Sequence, residues 1–240
     1  MNELPSINVP QSLSRMAYST LRKSIVEGQL RPGVIYNEMK LAKELGISRT
    51  PVREALLELS AHGLIAFLPR RGVMVNQYTP SDVVEIFEVR KAIETAVLEK
   101  ACLVRTQEDL AKIKEFIEQQ KAALDQNALM AFMKADKQFH LFLAELTRNR
   151  RMVSILENLR DMFQIMGLRS LNEPGRSQKV VAEHMAIYEA LSAGSGYLAK
   201  QAMSAHLENT RKAQIEQLGK RENKGPSETV PVLKPLAGNP

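Results

Sequence analysis

The segment between residues 41 and 56 constrains this chain most, because it fits two short helices joined by a tight turn. Gly46 suits the left-handed conformation that ends many helices. Ser48 is a favourable N-cap for the second helix, and Pro51 falls in its first turn, where backbone donors have no helical partner. The apolar inner face of the first helix comprises Leu41, Ala42 and Leu45. The pattern predicts a helix-turn-helix.

A predicted β-hairpin follows the second helix, which Gly63 ends. Residues 64–68 have the composition of a strand, and residues 73–76 can form its partner across a glycine-containing turn. The turn carries Arg70 and Arg71, which suit contact with DNA phosphates or the minor groove. Taken alone, two arginines in a turn are more typical of a solvated surface. Beside a helix-turn-helix, they indicate the wing of a DNA-binding domain.

The first turns of the second helix carry the side chains that would read bases. In helix-turn-helix proteins this helix lies in the major groove, with its N-terminal residues against base edges. Here those residues are Arg49, Thr50 and Arg53. The sequence therefore predicts a protein that reads double-stranded DNA.

Residues 21–75 resemble the N-terminal domain of the GntR family of bacterial transcription regulators. The most specific match is residues 48–56, Ser-Arg-Thr-Pro-Val-Arg-Glu-Ala-Leu. Further matches are Leu21-Arg22, Ile25, Gly28, Leu30, Pro32-Gly33, Glu38, Leu41-Ala42, Leu45-Gly46, Leu59, Gly63-Leu64, Pro69 and Arg71-Gly72. Tyr36-Asn37 and Met39-Lys40 depart from the pattern, and Lys40 takes the place of a DNA-contacting arginine of some relatives. The resemblance implies a DNA interface of Arg22, Lys40, Ser48, Arg49, Thr50, Arg53, Arg70, Arg71 and Gly72.

Length and composition limit the remaining possibilities. A chain of 240 residues has room for two modest domains, and 44% hydrophobic residues suffice for two cores. The single cysteine, Cys102, excludes a disulfide within the chain, favours a reducing compartment and is expected to be a small buried hydrophobe. The chain has neither a signal-peptide pattern nor an apolar run of membrane-spanning length. We therefore expect a cytoplasmic protein with no membrane partner.

Charge is concentrated where DNA would bind. Residues 1–78 carry a net charge of +4, residues 79–219 are neutral, and residues 220–240 carry +2. An excess of positive charge on one domain is what binding to a polyanion requires.

The chain is expected to contain four segments and to be mainly α-helical. A flexible arm (1–10) precedes a winged helix-turn-helix domain (11–78), which begins with a helix over 12–27 carrying Leu13, Ala17, Leu21 and Ile25 on one face. Thr79, Pro80 and Asp82 form the start of a second domain (79–219), with a capping box. Its apolar periodicity predicts an all-α six-helix bundle with helices at 80–104, 107–125, 128–147, 150–171, 177–193 and 196–218. A disordered tail (220–240), rich in proline and glycine, follows.

Three of the four histidines lie in the predicted bundle. His140 follows Asp136 by four residues, so both side chains share one helix face. His184 and His206 lie near the middle of the last two helices. Imidazole and carboxylate together suit zinc, nickel, manganese or iron, with positions left open for a second molecule. The alternative is that each is an ordinary core or surface histidine.

The bundle resembles the helical C-terminal (FCD) domain of the FadR-type branch of the GntR family. That domain typically carries an Asp-x-x-x-His pair followed by two histidines on its last long helices. The resemblance implies a divalent metal held by Asp136, His140, His184 and His206, with zinc as the first choice. It further implies a sensor site whose open metal positions take the carboxylate of an organic or sugar acid. Arg90 and Asn209 are the predicted effector-binding residues. The alternatives are that Arg90 pairs with Glu94 on the helix surface and that Asn209 is exposed to solvent.

These features predict a ligand-responsive transcription regulator, expected to act as a repressor. One recognition helix reads too few base pairs for specificity, so we expect a homodimer on a pseudo-palindromic operator. The competing hypothesis is a metal-dependent hydrolase, which needs a general acid or base beside the metal. Glu183 adjoins His184, but neighbouring helix positions point about 100° apart. No enzymatic activity is therefore expected.

Overall fold

The structure is a computed structural model that describes residues 12–166 and 175–222. Contacts divide the chain into two compact units, with the boundary between Gln77 and Tyr78. The predicted arm (1–10) and most of the predicted tail lie outside the described residues. No helix of the described part is long and apolar enough to cross a membrane.

The first unit combines three helices with a small antiparallel sheet. Its elements are α1 (Leu13–Val26), β1 (Ile35–Tyr36), α2 (Glu38–Leu45), α3 (Arg49–Ala61), β2 (Ile65–Leu68) and β3 (Gly72–Val75). The strand order is β1-β3-β2, and β2 pairs with β3 from Ile65 opposite Val75 to Leu68 opposite Gly72. Strand β1 was not predicted, because two residues carry no measurable alternation and their strand character comes from pairing with β3.

The helix-turn-helix forms as its sequence indicates. Gly46 ends α2 with a φ of 66°, in the left-handed region. Ser48 occupies the N-cap position of α3, although its side chain makes no capping hydrogen bond. Helix α1 packs on α3 through Ala17, Leu21 and Ile25, which are buried. Leu13, the first residue of α1, was expected on the same face, but it is 52% exposed.

The wing has a strained turn. Arg70 adopts a φ of 60°, which is uncommon for a residue other than glycine. Gly72 follows with a φ of 121°, and a Cβ at this position would collide with the carbonyl oxygen of Tyr36. Glycine is therefore required there by the close approach of β1.

The second unit is helical throughout its described part. Its helices are α4 (Pro80–Val104), α5 (Gln107–Asp125), α6 (Leu129–Leu146), α7 (Arg150–Met166), α8 (Arg176–Ser192) and α9 (Gly196–Glu222). Capping boxes start α4 at Thr79 with Asp82 and α5 at Thr106 with Asp109. The predicted end of α7 at residue 171 lies outside the described residues.

Several predicted boundaries in this unit were wrong, by one residue at both ends of α6 and α8 and by four residues at the end of α9. Helix α8 begins at Arg176, because Gly175 in the left-handed conformation takes the N-cap position and Ser177 becomes helical. Helix α9 continues to Glu222, so the first residues assigned to the tail are helical. Leu218, the last residue of the predicted helix, is buried in the core of the bundle.

The core of the bundle is aliphatic and aromatic, with a polar layer inside it. Phe132, Phe139 and Leu143 are fully buried on α6. Cys102 is buried, as expected, and forms no disulfide. Helix α9 packs against α4 and α8, and α6 packs against α4 and α5. This arrangement brings the polar faces of α4, α6, α8 and α9 together inside the unit.

Candidate metal centre and nucleic-acid interface

A groove between the recognition helix and the wing contains the predicted DNA contacts. Its volume is about 430 Å³, and its walls are formed by residues 37–39, Arg49, Arg53 and residues 67–72. The structure therefore brings Arg49, Arg53, Arg70, Arg71 and Gly72 to one concave surface, although Arg49 and Arg53 are far from the wing in sequence. Four cationic side chains around one groove suit a phosphate backbone.

The other predicted DNA contacts lie outside this groove. Lys40, Ser48 and Thr50 are exposed, and Arg22 is half-buried on α1. Met39, next to Lys40, lines the groove instead. An exposed apolar side chain therefore contributes to this wall of the groove, while Lys40 lies outside it.

Glu38 is a residue of this interface that the sequence analysis did not assign. Its carboxylate accepts hydrogen bonds from Arg49 at 3.2 Å and from Arg53 at 3.2 Å. The Glu38 side chain is 11% exposed, whereas those of Arg49 and Arg53 are more than half exposed. One buried carboxylate thus aligns two arginines on successive turns of α3. Its signal in the sequence was its place as the first residue of α2, facing the turn.

Glu38→Gln should reduce the discrimination between specific and non-specific DNA. The amide keeps the size of the side chain but removes the negative charge, so Arg49 and Arg53 become free to bind phosphates anywhere. We expect the ratio of operator to non-specific affinity to fall by about tenfold, with a rise in non-specific affinity. Fluorescence anisotropy with both DNAs over a range of salt concentrations measures this ratio. Glu44→Gln, an equal charge change at an exposed position of α2, is the control, and an equal effect from both variants would refute the assignment.

Three histidines from three helices converge inside the second unit. His140 lies on α6, His184 on α8 and His206 on α9, and all three are buried. One ring nitrogen of each lies within 4.8 Å of the others. Within residues 12–166 and 175–222, this is the one group of three or more ligating side chains with such spacing.

Each histidine is oriented by an acceptor on its Nδ1 atom. The acceptors are Glu94 for His140, Gln120 for His184 at 2.9 Å and Glu183 for His206 at 2.7 Å. Because carboxylate and amide oxygens only accept, each Nδ1 must carry the proton and each Nε2 keeps a free lone pair. Such outer partners are what fix the ring orientation of metal-bound histidines.

The free lone pairs fit a bound cation. The Nε2 atoms of His184 and His206 are 3.4 Å apart, with lone pairs on both. The Nε2 atom of His140 is buried and has no hydrogen-bond partner. Three neutral acceptors around one point are unfavourable when buried alone, and a divalent cation would satisfy all of them. The residues present therefore fit a metal with imidazole ligands.

Asp136, the fourth predicted ligand, lies beside the histidines but has another partner. Its Oδ2 atom accepts a hydrogen bond from Arg160, and its Oδ1 atom is 3.7 Å from Nε2 of His184. Asp136 is therefore outside the close group of three, and Oδ1 is the atom left to approach an ion. Arg160 comes from α7 and was not recognised in the sequence, because no local spacing links it to Asp136.

The two predicted effector residues have different surroundings. Arg90 is fully buried, and its Nε donates to Glu94 at 2.8 Å, so this pair lies inside the bundle and not on the helix surface. Its Nη1 and Nη2 atoms are buried without a hydrogen-bond partner. Asn209 is exposed and donates to Glu183 at 2.9 Å, so it contacts the partner of His206 rather than the interior.

The acceptors of the histidines are also residues that the sequence analysis missed. Glu94 could have been found from its position four residues after Arg90. Glu183 was considered only as a base beside His184, whereas the structure places its carboxylate on His206. Gln120 had no signal, because a single glutamine on a helix is usually exposed.

Burial and ion pairing set the charges of this cluster. Burial favours the neutral form of Glu183, but hydrogen bonds from His206 and Arg176 outweigh it and lower the pKa of Glu183 to about 2. Burial likewise opposes ionisation of Glu94, yet Arg90 and His140 hold its pKa well below the usual range. Burial lowers the pKa of His206 to about 4 and that of His184 well below its ordinary value. Glu94 and Glu183 are therefore ionised at neutral pH, and His184 and His206 are neutral.

Metal-free protein should lose stability as the pH falls from about 6.5 to about 4. The unfolded chain protonates its histidines near pH 6.5, whereas the folded protein keeps His206 neutral down to about pH 4. The stabilisation that comes from this pKa difference is fully present above about pH 6.5. It is lost as the pH falls, because the unfolded state gains protons that the folded state does not bind. The loss from His206 alone is of the order of 3 kcal/mol. Urea unfolding of chelator-treated protein at several pH values measures it; His206→Gln should flatten the slope, and an unchanged free energy of unfolding across the window would contradict the prediction.

Comparisons with known proteins agree with the geometry of both units. Residues 13–75 match the family described as bacterial regulatory proteins, gntR family, and residues 85–209, about half of the chain, match the FCD domain. The HTH-type transcriptional repressor RspR of Escherichia coli K12 is 28% identical over 202 residues, covering 84% of this chain and 89% of that protein. The HTH-type transcriptional regulator LutR of Bacillus subtilis is 30% identical over 206 residues, covering 77% and 93%.

The fold also recurs in solved structures. Escherichia coli McbR/YncC has a TM-score of 0.77 at 22% identity, covering 87% of this chain and 99% of that one. A transcriptional regulator from Rhodococcus sp. RHA1, described as putative, has a TM-score of 0.75 at 24% identity, covering 85% and 97%. The predicted mainly helical fold, with an N-terminal winged helix-turn-helix and a helical C-terminal domain, is confirmed. With both of its domains matched, the chain belongs to the GntR family of bacterial transcription regulators and is a DNA-binding protein with an FCD domain.

Proposed function

We propose that this regulator is a repressor that senses a small carboxylate metabolite through a metal ion in its helical domain. The observation that carries the proposal is the set of three buried Nε2 lone pairs, each fixed by an acceptor on the opposite ring nitrogen. Residues 11–78 would bind DNA, while residues 79–219 would bind the metal and effector and form the dimer. The protein would act on DNA in the cytoplasm.

His140, His184 and His206 would hold the metal through Nε2, and Asp136 would approach it through Oδ1. Three imidazoles and one carboxylate favour zinc, with nickel, manganese and iron as alternatives. The ion would supply a charge to which an acid can bind, while the protein's own groups orient the rings. Arg90 would add donors for a carboxylate through its unpartnered Nη atoms.

The DNA site would be used twice. Arg49 and Arg53 occupy only the first turns of one helix, which contacts too few base pairs for adequate specificity. A homodimer on a pseudo-palindromic operator would double every contact. The dimer would have two arrangements that differ in DNA affinity. An effector would shift the DNA affinity at most by the factor by which its own affinity differs between these two arrangements.

The hydrolase hypothesis lacks a suitable base in this cluster. Glu183 was the nearest candidate, and its carboxylate already accepts from His206, Arg176 and Asn209. Although burial opposes its ionisation, the contacts with His206 and Arg176 lower the pKa of Glu183 to about 2, far below the value useful to a general base at neutral pH. The carboxylate therefore supports orientation of His206 and not proton transfer.

A mobility shift with metal-loaded and chelator-treated protein tests the proposal. The DNA is an operator selected from random sequences by the wild-type protein. The effector is supplied as an extract that contains small organic acids. We expect operator binding in both forms and release by the extract only with metal present. Equal release from the chelated protein would overturn metal-anchored sensing, and absence of a selected operator would overturn sequence-specific DNA binding.

A further inference from the structure

Among the described residues of the helical domain, the buried charges lie in ion pairs. Arg90 pairs with Glu94 at 2.8 Å, Arg176 with Glu183 at 2.9 Å, Lys137 with Asp161 at 2.6 Å, and Arg160 with Asp136. Arg90, Glu94, Asp136, Arg160, Asp161 and Arg176 are buried, and only Lys137 and Glu183 reach partly into solvent. With neutral imidazoles, these four pairs sum to zero.

A metal would disturb this balance. Imidazoles bind metals in their neutral form, so a divalent ion on the three histidines adds two positive charges that no described side chain of the cluster compensates. An uncompensated charge in a buried site is costly, since it has lost its hydration. An anion that enters with the metal would supply the missing negative charge.

Unpartnered donors lie beside the same cluster. The Nη1 and Nη2 atoms of Arg90 and the Nε atom of Arg160 are buried without hydrogen-bond partners. The guanidinium carbon of each arginine lies 5.3 Å from the centre of the Phe163 ring, so both flank one side chain. Arg90 is linked to His140 through Glu94, which accepts from both. These cationic donors suit anionic oxygens that would lie beside the cluster.

From the charge balance and the unpartnered donors, we propose that the effector is a small dianion of the dicarboxylate type. One carboxylate binds the metal, and the second accepts hydrogen bonds from Arg90 and Arg160. This inference rests on the proposed metal site and narrows its ligand from any organic or sugar acid to an acid with two negative charges. A monocarboxylate would leave one charge and the second set of donors unsatisfied.

Matched pairs of acids test the proposal on zinc-loaded protein. Succinate is compared with butyrate and malate with 3-hydroxybutyrate, so each pair differs by a carboxylate in place of a methyl group. Calorimetry gives the affinities, and elemental analysis after gel filtration shows that the zinc stays bound. We expect the dianion of each pair to bind about tenfold more tightly or better. We expect no such preference in chelated protein, whose cluster is neutral.

Two variants distinguish an effect of net charge from an effect of any substitution in the cluster. Arg90→Met lowers the net charge of the loaded cluster to +1, so the preference for dianions should disappear. Glu94→Gln keeps the shape of the acceptor and raises the net charge to +3, so the preference should persist or grow. If wild-type zinc protein binds monoanions as well as dianions, or binds neither, the inference fails while metal binding stands. If zinc is not retained at all, the proposed metal site itself fails.

Discussion

Arg49→Ala and Arg53→Ala should each abolish detectable operator binding while leaving the helical domain folded. Both side chains are more than half exposed at the start of α3 and line the groove beside the wing. An arginine contact with guanine contributes about 1–3 kcal/mol of discrimination, and a symmetric dimer uses it twice. We expect losses of about 2–6 kcal/mol in operator binding, measured by mobility shift, with unchanged thermal unfolding of the second unit.

The control for these variants is Arg71, an arginine expected to contact phosphates and not bases. Arg71→Ala at the wing should weaken binding to all sequences alike and reduce the salt dependence by about one phosphate contact per subunit. Operator and non-specific DNA should therefore lose affinity in parallel. Wild-type operator affinity in either Arg49→Ala or Arg53→Ala would show that α3 is not the recognition helix.

His140→Ala, His184→Ala and His206→Ala should each remove the bound metal. The wild-type protein is expected to contain about one divalent transition metal per chain by elemental analysis, when purified without chelator or nickel resin. A metal bound only to the folded state adds RT ln(1 + [M]/Kd), about 4 kcal/mol when the metal is at a thousand times its Kd. The three variants should lose this increment in denaturant unfolding and lose the effector response. Basal DNA binding should remain, because Arg49 and Arg53 belong to the other unit.

The fourth histidine gives a matched control. His62 lies in the first unit, and its Nδ1 contacts the hydroxyl of Tyr18 at 2.8 Å. His62→Ala removes the same side chain but should leave the metal content unchanged. If the three cluster variants retain full metal and an unchanged effector response, these histidines are packing residues only. The effector site would then have to be sought around Arg90.

Much of this protein could be predicted because its signals are local in the chain. The turn at Gly46, the cap at Thr79 and the helical periodicity each depend on residues a few positions apart. Short-range sterics and hydrogen bonds determine such features almost independently of the rest of the fold. The family resemblance of residues 48–56 added the identity of the recognition helix.

The tertiary structure decided which atoms of those residues are available. Glu38 meets Arg49 and Arg53 only because the turn at Gly46 folds α2 against α3. Arg160 reaches Asp136 because α7 packs on α6. No periodicity predicts such pairs, since the partners lie on different elements.

The metal centre shows the same division most clearly. Residue types and their helix positions were enough to select His140, His184 and His206 from the sequence. Which ring nitrogen each presents depends on Glu94, Gln120 and Glu183, which lie on α4, α5 and α8. A hydrogen bond between distant segments exists only once the packing has brought the donor and acceptor within about 3 Å. Residue types and their spacing therefore identified the candidate ligands. The packing of the helices determines which ring nitrogen of each histidine carries the proton and where its lone pair points.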